Sequence, residues 1–166
     1  RPNGRVARVD LTRWEDFEPL QGAVDTVVCL NVVEHVEDDR VALRNLHGVL
    51  APGGRAVVLV PEGQGIYGEL DAVLGHWRRY SEPELRGKME EAGFEVERIF
   101  GFNRVTRPGW WWNGRVLKRR TFSRLQLWFF DRLVWLWKRL DGWLPWPGVS
   151  LIAIGRKPAA GGDQTR

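Results

Sequence analysis

Two apolar runs of seven residues, Asp25–Asn31 (DTVVCLN) and Arg55–Pro61 (RAVVLVP), constrain this chain more than anything else in it. Each is apolar almost throughout, as expected for a strand covered on both faces. Between them Val41, Leu43, Leu46, Val49 and Leu50 fall at approximately helical spacing over Asp38–Leu50. Ala51-Pro52-Gly53-Gly54 then breaks the helix, with glycines suited to a C-terminal cap and turn. Strand, helix and strand in that order is the unit of a parallel α/β sheet.

The flanking segments extend the pattern. Arg5–Asp10 (RVARVD) alternates apolar and polar like a strand. Glu62–Tyr80 is Gly-rich and weakly periodic and reads as a loop over the strand ends. Ser81-x-x-Glu84 is a capping box opening a helix to Ala92, stopped by Gly93. Phe94–Phe102 (FEVERIFGF) and Gly148–Lys157 (GVSLIAIGRK) read as two further strands, and the polar residues from Lys157 onward as a disordered tail. With 166 residues, 43% of them hydrophobic, the chain suits one domain with a sizeable core. One cysteine, Cys29, excludes an internal disulfide framework and a Cys-based zinc site, and makes the cytoplasm the natural compartment. No run of 18 apolar residues lacks a charge, so no plain membrane-spanning helix is expected. The Arg-Pro-Asn-Gly start, with no initiator Met or signal segment, reads as part of a longer chain.

Charge and aromatics are unevenly placed. Ten Lys or Arg lie between Arg104 and Arg139 against one acid, Asp131, whereas the rest of the chain carries 15 basic and 20 acidic side chains. Eight of the ten Trp fall between Trp110 and Trp146. Within it, Phe122–Leu140 (FSRLQLWFFDRLVWLWKRL) reads as one helix with Arg124, Asp131 and Lys138 on a narrow stripe and an otherwise almost wholly apolar surface. Trp128 and Trp135 fall on the charged side, where a core helix would not put them. Trp beside Arg and Lys suits a membrane–water interface, and Lys118-Arg119-Arg120 adds attraction to anionic lipid. Packing of the aromatics into the core or against another subunit is the alternative. A nucleic-acid groove fits less well, because the apolar stripe is too wide.

In an open α/β sheet, ligands bind outside the carboxyl ends of the strands. Three such ends are chemically distinctive: Asp10, Asn31 with Glu34-His35, and Pro61 with the loop behind it. A carboxylate such as Asp10 can accept from an exocyclic amine or from nucleoside hydroxyls, or it can cap the turn at Thr12.

These motifs carry a resemblance. DTVVCLNVVEHVEDD, VLAPGGRAVVLVP, GHWRRYS and a helix ending in EEAGF resemble the C-terminal two thirds of a class I S-adenosylmethionine-dependent methyltransferase, over roughly residues 5 to 157. LGHWRRYS, AGFEVERIFGFN and the closing GVSLIAIGRK are similar to the methyltransferases found beside or fused to bacterial glycosyltransferases. The resemblance implies a Rossmann-like α/β core over 1–102 and 148–157, truncated at its N-terminal side, with an aromatic-basic helical insertion over 103–147 and a tail over 158–166. It implies S-adenosylmethionine as cofactor, contacted by Asp10 and Leu11 at the adenine and by Asn31, Val32 and Val33 on the sulfonium side. Pro52, Gly53 and Gly54 match a structural turn, and Glu34-His35 match a Glu-His pair. In some relatives an acid three residues before that pair helps to bind a divalent metal; here the position is Asn31, and no metal is expected. The glycine-rich loop, acidic-x-Gly-x-Gly-x-Gly, is absent from the chain, as is the acid that holds the ribose. Close backbone approach to the cofactor's methionine part needs those glycines.

Methyl transfer asks little of the protein beyond alignment, because the sulfonium is already a strong electrophile; a base is needed for a hydroxyl or similar acceptor. His76 and Tyr80 are the catalytic candidates, and Arg78 and Arg79 the candidates for holding an acidic acceptor bidentately. The alternative is a structural loop in which Trp77 and Tyr80 pack down while the arginines pair with Glu82, Glu84 or Asp71. The expected function is methyl transfer to a small-molecule or lipid-linked acceptor by a cytoplasmic protein, peripheral at the inner face of the membrane. A non-catalytic remnant serving as a membrane-surface or interaction module is the rival.

Overall fold

The computed structural model describes Gly4, residues 6–121 and residues 123–159. Residues 160–166, most of the expected tail, lie outside the described residues.

The elements run β1 (Val24–Leu30), α1 (Asp39–Val49), β2 (Leu50–Pro61), α2 (Glu69–Leu74), α3 (Glu82–Glu91), β3 (Glu95–Phe102), α4 (Arg107–Trp111), α5 (Arg124–Arg132), α6 (Val134–Leu140) and β4 (Ser150–Arg156). Local chemistry explains the helix ends. Asp38 accepts the Val41 N–H at 3.1 Å to cap α1, and Ser81 accepts the Glu84 N–H to cap α3. At its other end α1 is closed by Lys157, whose ammonium donates to the carbonyls of His47, Gly48 and Leu50.

The four strands form one sheet in the order β1-β2-β4-β3. β1 and β2 pair in parallel, but β4 runs antiparallel to both neighbours, so the sheet is mixed rather than wholly parallel. The reason is topological. The connection from β3 to β4 stays at the end of the sheet where β3 finishes, so β4 must enter from that end and run back. The insertion is therefore held at the carboxyl edge of β1, β2 and β3.

α1 and α3 pack on each other and on one face of the sheet. Leu43, Leu46, Leu85 and Met89 meet Cys29, Val58, Val60, Leu151 and Ala153 in the core. Burial pushes the Cys29 thiol up to about 11, which makes it an inert core group. The opposite face is less covered than the apolar runs imply: Val28 is 62% exposed and Leu30 48%. No described helix lies over that part of β1.

Three further expectations change. Arg5 lies outside the described residues, and Val6–Asp10 form no strand, because no described strand lies beside them to accept their backbone pairs. Glu62–Tyr80 holds a short helix, α2, opened by Asp71 accepting the Gly68 N–H and closed by left-handed Gly75. Ala51–Gly54 lies within β2, where Gly53 at φ +82° takes up a register shift against β1.

At Gly54 a Cβ would stand 2.9 Å from the Ala51 carbonyl oxygen and 3.0 Å from that of Asp25, both backbone atoms. Gly54→Ala is expected to lower the unfolding free energy by about 1–3 kcal/mol in urea denaturation. Gly65→Ala, where a Cβ meets nothing within 4 Å, should stay within about 0.5 kcal/mol of the parent. Equal midpoints for the two variants would show that the start of β2 around Gly54 can shift to admit a side chain.

Candidate active site

Three segments converge on the carboxyl edge: residues 31–38 after β1, residues 62–80 after β2, and the insertion between β3 and β4. The second is tied down by main-chain bonds. Tyr80 N–H donates to Pro61, Gly63 N–H to Tyr80, and Trp77 N–H to Glu34, so residues 77–80 return along the end of β2 and reach the first segment.

That return path brings His76 to Glu34 and His35. His76 Nδ1 lies 2.9 Å from Asp71 Oδ1, and its Nε2 lies 4.0 Å from Glu34 Oε1. The His35 ring meets the His76 ring edge-on at a 4.9 Å centroid separation, with His35 Nδ1 held 3.1 Å from the Gly75 carbonyl. Asp71 and Glu34 are both fully buried yet differ sharply. Burial alone would push the Asp71 carboxyl up, but the His76 hydrogen bond, the Arg79 charge and the Gly68 N–H outweigh it and hold it low. Neither Glu34 oxygen has a side-chain or main-chain partner at hydrogen-bond distance among the described residues, and burial pushes its carboxyl above the usual range against the weaker pull of its own backbone N–H and of His76, His35 and Arg79. Glu34, His35 and His76 each bring one ligand atom within 4.8 Å of the others, a donor set suited to a borderline divalent ion. The sequence marked Glu34 only as part of the Glu34-His35 pair and Asp71 only as a possible partner of the arginines, and named neither as catalytic. The signal for Asp71 was its spacing, three residues after Gly68 and five before His76.

The rest of Gly75–Tyr80 departs from the catalytic and acceptor-holding reading and follows the structural-loop alternative at Arg79 and Tyr80. Arg79 is fully buried and donates to Asp71 Oδ1 at 2.7 Å, to the Glu62 carbonyl at 3.1 Å and to the Val149 carbonyl at 3.4 Å. It is a strut inside the fold: Nη2 has no hydrogen-bond partner among the described residues, but the whole side chain is buried and presents no exposed face to an acceptor. Tyr80 is also fully buried, and its hydroxyl donates to Asp39 Oδ2 at 2.8 Å, which takes it away from the catalytic edge. Burial and the Asp39 carboxylate both raise its pKa. Arg78 is half-buried and donates to Asp39 at 3.0 Å and to the Glu37 carbonyl at 2.6 Å. Asp39 also accepts from Lys88 at 2.6 Å; these partners outweigh its burial and hold its carboxyl low. Trp77, expected to pack the loop down, is exposed instead.

Comparison with known proteins places this geometry. The family described as a methyltransferase domain matches residues 3–99, more than half of the chain. The chain belongs to that methyltransferase family. It is 32% identical over 113 residues to the ubiquinone biosynthesis O-methyltransferase of Pseudomonas aeruginosa, covering 58% of this chain and 48% of that one. It is 37% identical over 101 residues to a probable S-adenosylmethionine-dependent methyltransferase of Mycolicibacterium smegmatis, covering 58% of this chain and 39% of that one. This methyltransferase chain therefore spans about half the length, or less, of these curated relatives. Among solved structures, a SAM-dependent methyltransferase from Archaeoglobus fulgidus aligns with a TM-score of 0.56 at 16% identity, over 93% of this chain and 68% of that one. The fold is the Rossmann-like one of class I methyltransferases.

The segments matched to cofactor contacts lie at the same edge of the methyltransferase sheet. Asp10 is exposed, and its carboxylate accepts the Thr12 N–H at 2.9 Å and the Thr12 hydroxyl at 2.7 Å, bonds that lower its pKa. The Leu11 carbonyl accepts from Asn45 of α1 at 2.8 Å. A polar hollow of about 520 Å³ is lined by Asp10, Leu11, Asp16 and Val36 among others, a size in the range of ligand sites. Asn31, at φ +53°, and Val32 are exposed beyond β1, whereas Val33 is fully buried and faces the core.

Two outcomes follow. Because the Glu34 carboxyl is raised in the folded chain, its contribution to stability is full below its ordinary value near 4.5 and is lost as pH rises through the folded pKa. Glu34→Gln should remove that loss, so the thermal midpoints of parent and variant should diverge, variant higher, between acid and neutral pH. Parallel curves would mean that a cation already satisfies Glu34 at neutral pH. Tyr80→Phe should cost about 1–2 kcal/mol in chemical denaturation, the value of a buried hydrogen bond to a charged acceptor; no cost would return the hydroxyl to the list of free groups.

Proposed function

We propose that the protein transfers a methyl group from S-adenosylmethionine to an acceptor held at an anionic membrane surface, with His76 as the base. The observation that carries this reading is the convergence of the Asp10–Leu11 hollow, the exposed Asn31–Val32 turn and the Asp71–His76 pair on one edge of a methyltransferase sheet. The cofactor supplies the electrophilic methyl. Asp10 and the Leu11 main chain would meet its nucleoside end, and Asn31 and Val32 its sulfonium side. Asp71 keeps a proton on His76 Nδ1 and leaves Nε2 free to accept one, as a carboxylate–imidazole pair does. Arg78, the half-buried arginine of the motif, would steer an acidic acceptor only by giving up part of its bonding to Asp39 and to the Glu37 carbonyl.

The membrane part rests on the insertion. α5 and α6 contain no buried residue, and Trp128, Trp135 and Trp143 are 58%, 60% and 87% exposed. Arg132 lies over the Trp128 ring and Arg139 over the Trp135 ring, at 5.7 and 5.8 Å. Among the described residues no helix is long and apolar enough to cross a membrane. An exposed apolar surface with basic residues set among its rings suits the interface instead.

Calorimetric titration with S-adenosylmethionine tests the enzymatic half. The 166 residues, lacking the glycine loop, should show no micromolar binding, and a chain extended upstream by the residues its gene encodes there should show it. Binding by neither would favour the non-catalytic module. For the surface half, the protein should float with phosphatidylglycerol vesicles at low salt and stay behind with neutral ones. Replacing Lys118, Arg119 and Arg120 with Gln should weaken partitioning by about fivefold per residue removed. Equal flotation with both vesicle types would end the electrostatic reading.

A further inference from the structure

The insertion encloses space as well as presenting a surface. One hollow of about 370 Å³ lies between Phe102, Phe130, Val134 and Trp137, with Lys138 and Asp141 at its wall. A second of about 330 Å³ lies between Val105, Gly109, Trp110, Leu127 and Phe129. Asn103 and Phe130 line both, so the two are neighbours along one apolar slot that runs from β3 into the insertion.

The polar groups of the walls are largely occupied by one another. Asp141 accepts the N–H groups of Asn103 and Val105 at 2.9 and 3.0 Å. Asn113 donates to the Gly109 carbonyl at 2.8 Å and accepts from Gln126 at 3.2 Å, and the Thr106 hydroxyl donates to the Asn103 carbonyl at 2.9 Å. Trp110 donates to Asp71. Walls whose polar atoms are already paired offer little to a polar ligand or to water and favour hydrocarbon. The groups left over at the first hollow are donors. The Trp137 indole N–H is buried with no partner among the described residues, and Lys138 is exposed. The surrounding insertion, residues 103–147, carries ten basic residues against two acids, Asp131 and Asp141, and Asp141 is already engaged by the Asn103 and Val105 N–H groups. Apolar walls, spare donors and a basic rim together match one hydrocarbon chain ending in an anionic, oxygen-bearing head.

We propose that this slot binds the single hydrocarbon tail of a phosphate-headed lipid, with the head at the Lys138 end. Trp110 joins the slot to the candidate active site, since it is bonded to Asp71 and its ring lies 4.7 Å beneath the Arg79 guanidinium. A lipid seated here has its tail in the insertion and lies beside the His76 edge. The inference deepens the membrane-surface reading above and rests on it for the source of the lipid.

Titration with n-alkyl phosphates below their micelle concentrations tests it. Affinity should rise about tenfold or more from octyl to decyl phosphate, because each methylene contributes about fourfold. Inorganic phosphate should compete weakly. Gly109→Leu should abolish the chain-length dependence by filling the second hollow; a Cβ there meets nothing within 4 Å, so the variant has room to fold. It should still float with anionic vesicles, since the outer Trp and basic residues are untouched. No saturable binding, equal affinity for octyl and decyl phosphate, or full competition by inorganic phosphate would overturn the slot. The series on the parent protein decides this even if Gly109→Leu fails to fold. Decyl phosphate binding without flotation would uphold the slot and remove the membrane-surface reading alone.

Discussion

A buried guanidinium sets the architecture of the carboxyl edge. Arg79 donates from Nε and Nη1 to Asp71, to the Glu62 carbonyl at the end of β2 and to the Val149 carbonyl at the entry to β4. It thus pins the 62–80 segment to two strands, and its contact with Trp110 reaches the insertion. Burying such a pair costs several kcal/mol of desolvation for each ion, which good geometry and additional hydrogen bonds must offset. Once paired, neither partner can leave without stranding the other. Asp71 also fixes His76, so the bond that folds the segment is the one that orients the candidate base. A neutral substitute for Arg79 would release Asp71, and Asp71 would no longer be held low enough to keep the imidazole in one tautomer.

Much of this was legible in the sequence where one residue pattern has one physical outcome. The runs around Val27 and Val58, the Ser81 cap and the Gly93 stop announced strands and a helix that the structure forms. The sense of β4 was not legible, because an apolar strand looks the same in either direction and only the path of the connection decides it. α2 escaped because six residues closed by Gly68 and Gly75 are too short for periodicity to register. In the GHWRRY motif, return pairing along the end of β2 turns Arg79 and Tyr80 inward and leaves Trp77 outside. Read as a loop, these residues left both a catalytic and a structural role open, and the sequence could not say which side chains turn inward. The role of Glu34 depends on His76, which lies far along the chain, and spacing alone does not disclose it.

The insertion differs from the sequence reading for a geometric reason. A continuous helix over 122–140 would separate Phe130 and Trp137 by about 10.5 Å along its axis. The turn at Leu133 divides it into α5 and α6, and the two rings stack at 6.3 Å and 20°. That closure makes the roof of the first hollow. It also frees the helices from a single buried face: apolar groups point both inward to the slot and outward to solvent.

A helix that is apolar nearly all round belongs in a core or a membrane, and α5 and α6 bury no residue in the core. The pairing of Arg132 with Trp128 and of Arg139 with Trp135 shows how such a surface stays stable in water. Each guanidinium lies over a ring one helical turn away, shielding it while keeping its own hydration on the outer side. At the anionic interface proposed above, the same two groups would answer to different partners, the guanidinium to phosphate and the ring to the level of the headgroups. The topology makes this matter for chemistry. Because β4 runs back from the end at which β3 finishes, whatever the insertion contacts is brought to the edge that holds His76, and not to the opposite end of the sheet.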